Sequence, residues 1–326
     1  MRPRLWGLAF GFLMGLMWLG MDLALAAGAS ACFHLAPTSV IPTSHNGIHR
    51  GFARLANEIA NPRVGTTTDN DDEGAGMGDR SAIEWTEATW NPTTGCDRTS
   101  PGCDNCYALT LAKRLKAMGQ SKYQYDGDPR TSGPGFGLTL HPDTLAVPRA
   151  WLSPRLIFVN SMSDLFHPKV PIDYIRSVFE VISATPQHTY QLLTKRSKRL
   201  TTVAERLDWP GNLWMGVSVE NDRYAFRIDH LRGVPAAVRF ISAEPLLGPL
   251  NDLDLSGIEW LIAGGESGYE ARPIESVWVT GLRDQCAAAG VPFFFKQWGG
   301  RTPKAGGRTL EGRLHNEMPS ATVAPV

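Results

Sequence analysis

The chain has 326 residues, of which 43% are apolar and 20% charged, as is ordinary for a soluble globular protein. Lysine and arginine together number 32 residues, and aspartate and glutamate together also number 32. Bulk charge therefore does not single out nucleic acid as a partner, although a local basic patch would suffice. Five cysteines in a chain of this length do not make a disulfide scaffold.

Residues 1–76 differ in character from the rest of the chain. The segment 5–26 is apolar, comes after two arginines and ends in small residues, as in a secretory signal peptide or a membrane anchor. The remainder of residues 1–76 has little hydrophobic periodicity and ends rich in glycine and aspartate, which is typical of a linker or disordered chain. We interpret residues 1–76 as an over-extension of the reading frame, with Met77 as the natural start and a cytoplasmic protein as the consequence. The alternative is a real export signal, which would put the clustered cysteines of residues 96–106 in an oxidising compartment.

N-terminal mass spectrometry of the native protein tests this interpretation. We expect the first peptide to begin at Met77 or just after it. A peptide that spans Arg63 to Arg80 would contradict the start at Met77, because most of it lies upstream.

From Met77 onward, β-rich apolar runs alternate with segments of helical spacing. This order predicts a single α/β domain over residues 77–326, a partial or complete (β/α) barrel with a loop-rich C-terminal tail. No stable membrane association is expected for it. Strands are predicted at 83–85 ("IEW"), 155–161, 189–195, 212–220, 238–244, 258–266 and 291–299. Helices are predicted at 107–118, 171–186, 222–231 and 275–290, with a basic helical segment that ends at Leu207.

Polar residues come after six of the predicted strands. In α/β barrels, the carboxyl ends of the strands and the loops after them build the active site. Glu244 and Glu266 are the strongest candidates, since each comes directly after a buried-looking strand, where an unpaired carboxylate is costly. We therefore expect the six endings to share a pocket. They read "NSMSDLFHP", "LTKR", "SVEND", "SAEPL", "GGESG" and "KQWGG".

Three cysteines, Cys96, Cys103 and Cys106, lie within eleven positions, just ahead of a predicted helix. Clustered thiolates bind either zinc or an iron–sulfur cluster. A structural zinc site normally needs four protein ligands, whereas a cubane on three cysteines leaves one iron open, as in S-adenosylmethionine radical enzymes. The alternative to such an enzyme is a zinc-stabilised nucleic-acid-binding or accessory protein without catalysis. Its fourth ligand would come from His141, His167 or Cys286, none of which stands at a recognisable spacing.

Seven motifs occur along the chain from about Ser81 to Pro319: "SAIEWTEATWNPTTGCDRTSPGCDNCYA", "VNSMSDLFHPKVP", "LLTKR", "GVSVEN", "ISAEPLLGP", "AGGESG" and "FFFKQWGG". By these motifs the chain resembles the phage- and plasmid-associated three-Cys-motif proteins, a family of largely uncharacterised function. That family is similar in turn to the radical S-adenosylmethionine superfamily, whose core is a partial or complete (β/α) barrel. The resemblance implies a [4Fe-4S] cluster on Cys96, Cys103 and Cys106, S-adenosylmethionine as cofactor, and an electron donor as partner. The implied enzyme generates a 5′-deoxyadenosyl radical, and its unknown substrate is first expected to be a nucleic acid or nucleotide.

Two features depart from the superfamily's commonest pattern, which is Cys-x3-Cys-x2-Cys with an aromatic residue before the last cysteine. Here six residues separate the first two cysteines, and Asn105 precedes Cys106 while Tyr107 comes after it. The Gly-Gly-Glu motif, residues 264–266, stands near the end of the barrel instead of after its second strand. We assign cofactor binding to Asp164, Glu220, Glu244, Gly264, Gly265 and Glu266. We assign substrate binding to Lys195 and Arg196, which suit a phosphate, and to Trp298, which suits stacking on a base.

Overall fold

The structure is a computed structural model that describes residue 81, residues 83–302 and residues 304–320. Its strands are β1 (Ala88–Trp90), β2 (Thr93–Thr94), β3 (Thr139–Leu140), β4 (Leu156–Val159), β5 (Thr189–Thr194), β6 (Leu213–Ser218), β7 (Val238–Ala243), β8 (Trp260–Gly264), β9 (Phe293–Gln297), β10 (Thr309–Leu310) and β11 (Arg313–Leu314). Its α-helices are α1 (Tyr107–Ala117), α2 (Ile172–Ser183), α3 (Ser197–Ala204), α4 (Phe226–Arg232) and α5 (Ser276–Ala289).

Seven strands form one parallel sheet in the order β1-β4-β5-β6-β7-β8-β9. Parallel neighbours need crossover connections, which α2, α3, α4 and α5 supply on one face of the sheet. The sheet curls but stays open, since β1 and β9 are its two edges among the described residues. The fold class predicted from the sequence is confirmed as α/β, and the barrel is partial. The six predicted strands from β4 to β9 are confirmed as well.

The two faces of the sheet bury different side chains. The outer face packs aliphatic residues such as Ile157, Leu192 and Leu261 against the helices. The concave face holds a separate cluster that is mostly aromatic and closes the base of the half-barrel. Its members are Trp85, Phe158, Trp214, Val238, Phe240, Trp260, Ile262 and Phe294. The base of the concave face is therefore mostly aromatic, and it includes the buried polar side chain of Gln191, whose Nε2 donates to the Trp85 carbonyl at 3.2 Å.

The predicted first strand, "IEW" at 83–85, is wrong. These residues form a turn in which the Thr86 amide donates to the Ile83 carbonyl at 3.2 Å, and the first strand is β1 instead. The reason is that Trp85 turns into the concave face, where its ring meets those of Phe158 at 4.7 Å and Trp260 at 6.2 Å. Burial of the indole in this cluster prevails over local strand propensity.

The loop-rich C-terminal tail is confirmed, and it covers the β9 edge. A short hairpin of β10 and β11 leads into a segment whose His315 carbonyl accepts from the Phe295 amide at 3.0 Å. The Trp260 indole then donates to the Glu317 carbonyl at 2.9 Å. These contacts protect an otherwise unpaired strand edge.

None of the helices in the described part of the chain has the length and apolar character needed to cross a bilayer. The signal-like segment 5–26, the proposed start at Met77 and the boundary at residue 76 lie outside the described residues, so they stay predictions.

Candidate functional site

The three cysteines lie in one loop, residues 95–106, which we call the cysteine loop. It begins after β2, which pairs with β3 in a separate two-stranded sheet, and there the Gly95 amide donates to the Met162 carbonyl at 2.9 Å. Gly95 has a φ of +83°, and a Cβ there would lie 2.2 Å from the Gly137 carbonyl oxygen. Only glycine fits this turn, which directs the loop over the carboxyl edge of the sheet.

Glu220, just beyond β6, anchors one side of the cysteine loop. Its side chain is 0% exposed, and its Oε2 accepts from Arg227 Nη1 at 2.8 Å. Its Oε1 accepts from the Ser100 hydroxyl of the loop. A Cβ on Gly102 would lie 2.6 Å from the same oxygen, so the loop backbone packs directly on the carboxylate. A buried carboxylate is thus satisfied partly by the loop itself.

Glu266, two residues beyond β8, anchors the other side. Arg272 pairs with it through Nη2 to Oε1 at 2.5 Å and Nε to Oε2 at 2.9 Å, and Asn105 Nδ2 donates to Oε2 at 3.0 Å. Burial opposes ionisation, but hydrogen bonds from Arg272 and Asn105 hold the pKa of Glu266 below its usual value. Arg272 Nη2 also donates to the Pro101 carbonyl at 2.8 Å. Arg272 therefore joins the sheet to the cysteine loop, and no sequence pattern marked it for this role.

Cys96 faces the guanidinium of Arg196. Arg196 Nη2 lies 3.6 Å from Cys96 Sγ and donates to the Asp97 carbonyl at 2.8 Å. Arg196 Nε is buried and has no hydrogen-bond partner among the described residues. Burial, with a further contribution from the Asp164 carboxylate, raises the pKa of Cys96 to about 12. The free thiol is therefore protonated at neutral pH, and binding a metal there releases a proton.

The other two thiols differ in their electrostatics. Burial alone would raise the pKa of Cys103, but the Lys195 ammonium and hydrogen bonds from Thr99 hold it below the usual value. Burial raises the pKa of Cys106, which caps the amino end of α1. Lys195 Nζ also lies 3.9 Å from Glu220 Oε1. The sequence assigned Lys195 and Arg196 to the substrate, whereas the structure turns both side chains toward the cysteine loop.

Among the described residues, no three His, Cys, Asp or Glu side chains converge on a position for a single metal ion. His167 uses both ring nitrogens, since Nε2 contacts Asp97 Oδ2 at 2.9 Å and Nδ1 accepts from the Lys169 amide at 3.2 Å. His141 Nε2 contacts the Thr94 hydroxyl at 2.8 Å. Cys286 is fully buried inside α5. The predicted fourth ligands of a zinc site are thus engaged elsewhere, while a cubane places each thiolate on a different iron and needs a wider arrangement.

Glu244, just beyond β7, lies on the concave face between the two anchoring glutamates. Its Oε1 is 3.1 Å from Lys296 Nζ of β9, and its Oε2 accepts from the Ser242 hydroxyl at a long 3.4 Å. Gly264 on the intervening strand makes this possible, because a Cβ there would lie 2.6 Å from Glu244 Oε1. Glu244 makes no hydrogen bond to the cysteine loop among the described residues. Lys296 belongs to the ending "KQWGG" that the sequence placed at the shared pocket, but it was given no individual role.

The remaining predicted site residues make contacts within the chain. Asp164 accepts from the Thr194 hydroxyl at 2.7 Å and from the Lys195 amide at 3.1 Å, which fixes the end of β5. Trp298 donates from its indole to the Thr309 carbonyl at 2.8 Å and so holds the C-terminal hairpin. A Cβ on Gly265 would lie 2.1 Å from the Trp298 carbonyl oxygen, so this glycine permits close approach of two strand ends.

Fold and site together define an α/β partial barrel with a three-cysteine loop fixed over its carboxyl edge. The chain belongs to a family of proteins of unknown function, DUF5131, whose family model matches residues 80–319. The predicted membership of an uncharacterised family is thereby confirmed, while the phage association, the cluster and the catalysis stay predictions. No functionally curated protein matches the chain at a significant level.

Solved structures of spore photoproduct lyase are similar to the chain at low identity. The complex with a dinucleoside spore photoproduct is 16% identical, with a TM-score of 0.37, over 58% of this chain and 58% of the lyase chain. A cysteine-to-serine mutant is 14% identical, with a TM-score of 0.39, over 68% and 74% of the two chains. A further mutant, with bound AdoMet and the dinucleoside, matches at 16% identity and a TM-score of 0.37. TM-scores below 0.5 do not carry a function over to this chain.

Arg272→Ala tests whether the anchoring contacts hold the cysteine loop. The substitution leaves Glu266 buried without its cation and frees the Pro101 carbonyl. We expect a loss of about 2 kcal/mol in the free energy of unfolding, since Arg272 itself is partly exposed. Hydrogen exchange should accelerate at residues 99–106. Chemical denaturation and exchange mass spectrometry measure the two effects.

Arg283→Ala is the matched control. Arg283 also pairs with two carboxylates, Asp284 of α5 and Glu311 of the turn between β10 and β11, but both of these partners are mostly exposed. We expect a change within about 0.5 kcal/mol and unaltered exchange in the cysteine loop. Equal effects of the two substitutions would show that Arg272 is an ordinary surface charge.

Proposed function

We propose that this chain is a radical S-adenosylmethionine enzyme whose [4Fe-4S] cluster is held by Cys96, Cys103 and Cys106. The observation that carries the proposal is that the Arg196 guanidinium lies 3.6 Å from Cys96 Sγ at the mouth of a partial (β/α) barrel. Lys195 stands nearby, with its Nζ 3.9 Å from Glu220 Oε1 under the cysteine loop. A cluster on three thiolates is anionic, and it becomes more so on reduction. Cations beside the sulfur atoms stabilise that charge.

The donor set fits such a cluster better than a single ion. Three thiols come from one loop, and the Arg196 guanidinium contacts Cys96 Sγ through Nη2 at 3.6 Å, while its Nε lies 3.9 Å from Asp164 Oδ2. Lys195 and Arg196, predicted from the sequence as substrate contacts, then serve the cluster. When bound, the cluster passes one electron from an external donor to S-adenosylmethionine, which yields methionine and a 5′-deoxyadenosyl radical.

The concave face of the sheet suits a reactive species. Below the mouth, Trp214, Phe240 and Trp260 form a buried, mostly aromatic base to the half-barrel. Above them stands the Glu244–Lys296 pair. Exclusion of water from this space suppresses side reactions of a radical.

Glu244 is the carboxylate that we assign to the cofactor. Glu220 and Glu266 each bind an arginine and a side chain of the cysteine loop. Glu244 instead has one ammonium partner and one long hydrogen bond. Its free acceptor capacity suits an ammonium group or ribose hydroxyls. Asp164, Gly264 and Gly265, predicted with it, then shape the strand ends around the pocket. The substrate remains predicted as a nucleic acid or nucleotide.

Single replacements of the three cysteines by alanine test the cluster. Each of Cys96→Ala, Cys103→Ala and Cys106→Ala should abolish cluster binding, because each thiolate holds a different iron. After anaerobic reconstitution, the unsubstituted protein should be brown and contain about four irons per chain. Metal analysis and visible absorption measure both quantities.

Cys286→Ala is the control, since this buried thiol lies in α5 away from the cysteine loop. It should keep the iron content of the unsubstituted protein. Loss of metal in Cys286→Ala would mean that a fourth protein thiol closes the site. A colourless protein with one zinc would favour the accessory nucleic-acid-binding alternative.

Glu244→Gln tests the cofactor pocket. A hydrogen bond to a charged group contributes about 1.5–3 kcal/mol, so the Kd for S-adenosylmethionine should rise about tenfold or more while the iron content is unchanged. Equilibrium dialysis on the reconstituted protein gives the Kd.

The matched control is Glu259→Gln at the opposite edge of the same strands. Glu259 pairs with Arg239 through Oε1 to Nη2 at 2.9 Å, just as Glu244 pairs with a lysine. Its loss should affect stability and leave the cofactor Kd unchanged. Equal Kd values for Glu244→Gln and the unsubstituted protein would mean that Glu244 serves only the sheet.

A further inference from the structure

Four aromatic side chains are exposed in the described part of the chain, between 49% and 81% of their surface. All four belong to segments at the carboxyl edge of the sheet. One comes directly after Cys106, one lies in the segment that packs on Asp97, and two lie in the connections after β6 and β8. We call them the aromatic rim: Tyr107, Tyr125, Phe226 and Tyr269.

Arginines stack at two points of this edge. The Arg301 guanidinium lies 4.8 Å from the centroid of the Tyr269 ring, and Arg223 lies 6.0 Å from that of Tyr224, the neighbour of Phe226. Neither arginine forms an ion pair among the described residues. Both are exposed. Two positive charges without carboxylate partners are therefore held beside flat apolar surfaces.

Contacts tie the rim to the cysteine loop on both sides. Beside Tyr269, the Glu270 carbonyl accepts from Asn105 Nδ2 at 2.8 Å. On the other side, Arg227 lies 4.5 Å from the Tyr224 ring and pairs with Glu220, which holds the loop through its Ser100 hydroxyl. The rim is thus connected to the cysteine loop on both sides.

We infer that the aromatic rim and its two unpaired arginines bind a single-stranded nucleic acid and present it to the mouth of the half-barrel. Exposed rings offer stacking faces to unpaired bases, and the guanidinium groups offer positive charge to the phosphates between them. A chain with zero net charge needs such a local arrangement in place of bulk electrostatics. The inference rests on the proposed function in one respect, that the bound strand is the substrate of the radical.

Base-paired nucleic acid fits this surface less well. In a duplex, the faces of the bases are stacked on one another and are closed to side chains. Two unpaired arginines also contact few phosphates, which limits binding through the backbone alone. The single strand is therefore the form that uses both the rings and the charges.

Fluorescence anisotropy with labelled oligothymidylate and oligouridylate of about 12 nucleotides tests the inference. Tyr269→Ala and Phe226→Ala should each raise the Kd about tenfold, by loss of one stacked base. Tyr269→Phe should bind like the unsubstituted protein, because stacking needs the ring and not the hydroxyl. Arg301→Gln should weaken binding and reduce the slope of log K against log salt by about 0.7.

Leu152→Ala is the matched control, since Leu152 is 90% exposed but precedes β4 at the opposite edge of the sheet. It should leave the Kd unchanged. The inference is overturned if neither oligonucleotide binds at about 50 mM salt, if a duplex of equal length binds more tightly, or if Leu152→Ala costs as much as Tyr269→Ala. The DNA and RNA arms show which strand is preferred.

The binding assay is run on the reconstituted protein and on Cys103→Ala, which should lack the cluster. Binding in both, with the same sensitivity to Tyr269→Ala, supports the rim whatever the cluster does. Iron loading without oligonucleotide binding overturns the rim and leaves the proposed function standing. If the oligonucleotides bind but neither the reconstituted protein nor Cys103→Ala contains iron, the proposed function is overturned and the rim stands.

Discussion

Two buried glutamates determine where the three cysteines stand. A carboxylate removed from water must find cations and hydrogen-bond donors, or it destabilises the fold by several kcal/mol. Glu220 finds Arg227 and the Ser100 hydroxyl, and Glu266 finds Arg272 and the Asn105 amide. Because each set of partners includes an atom of the cysteine loop, the loop cannot leave the sheet without removing a hydrogen-bond donor from a buried carboxylate. The stability of the half-barrel and the position of the thiols are thus coupled.

The same contacts account for two features of the cysteine loop, the residue before Cys106 and the interval between the first two cysteines. The residue before Cys106 is not aromatic because its amide is needed by Glu266 and by the Glu270 carbonyl. The long interval between the first two cysteines contains Ser100 and Gly102, which supply the hydroxyl and the close backbone contact at Glu220. A shorter interval would leave that carboxylate with fewer donors. The long interval between Cys96 and Cys103 therefore follows from the anchoring at Glu220, and the loop still carries three thiols.

The sequence predicted the sheet well and the partners within the site poorly. Strands from β4 to β9 are short apolar runs between turn signals, and buried parallel strands have this pattern. The turn at 83–85 was misread because the alternation Ile83-Glu84-Trp85 has the same local signal whether it pairs in a sheet or sends Trp85 into a cluster. The importance of Glu220, Glu244 and Glu266 came from their position after buried strands. Which cation meets each carboxylate depends on loops such as the one that carries Arg272, and no periodicity encodes that choice.

The type of cation separates the roles of Glu266 and Glu244. Arginine presents a planar fork that engages a carboxylate at two points, and Arg272 holds both oxygens of Glu266 in this way. Lys296 is a point charge on a flexible stem, and it engages only one oxygen of Glu244 at 3.1 Å. The second oxygen of Glu244 has a single long hydrogen bond, from Ser242. A carboxylate held at one oxygen keeps acceptor capacity at the other, so the middle glutamate is suited to a ligand and its two neighbours to the scaffold.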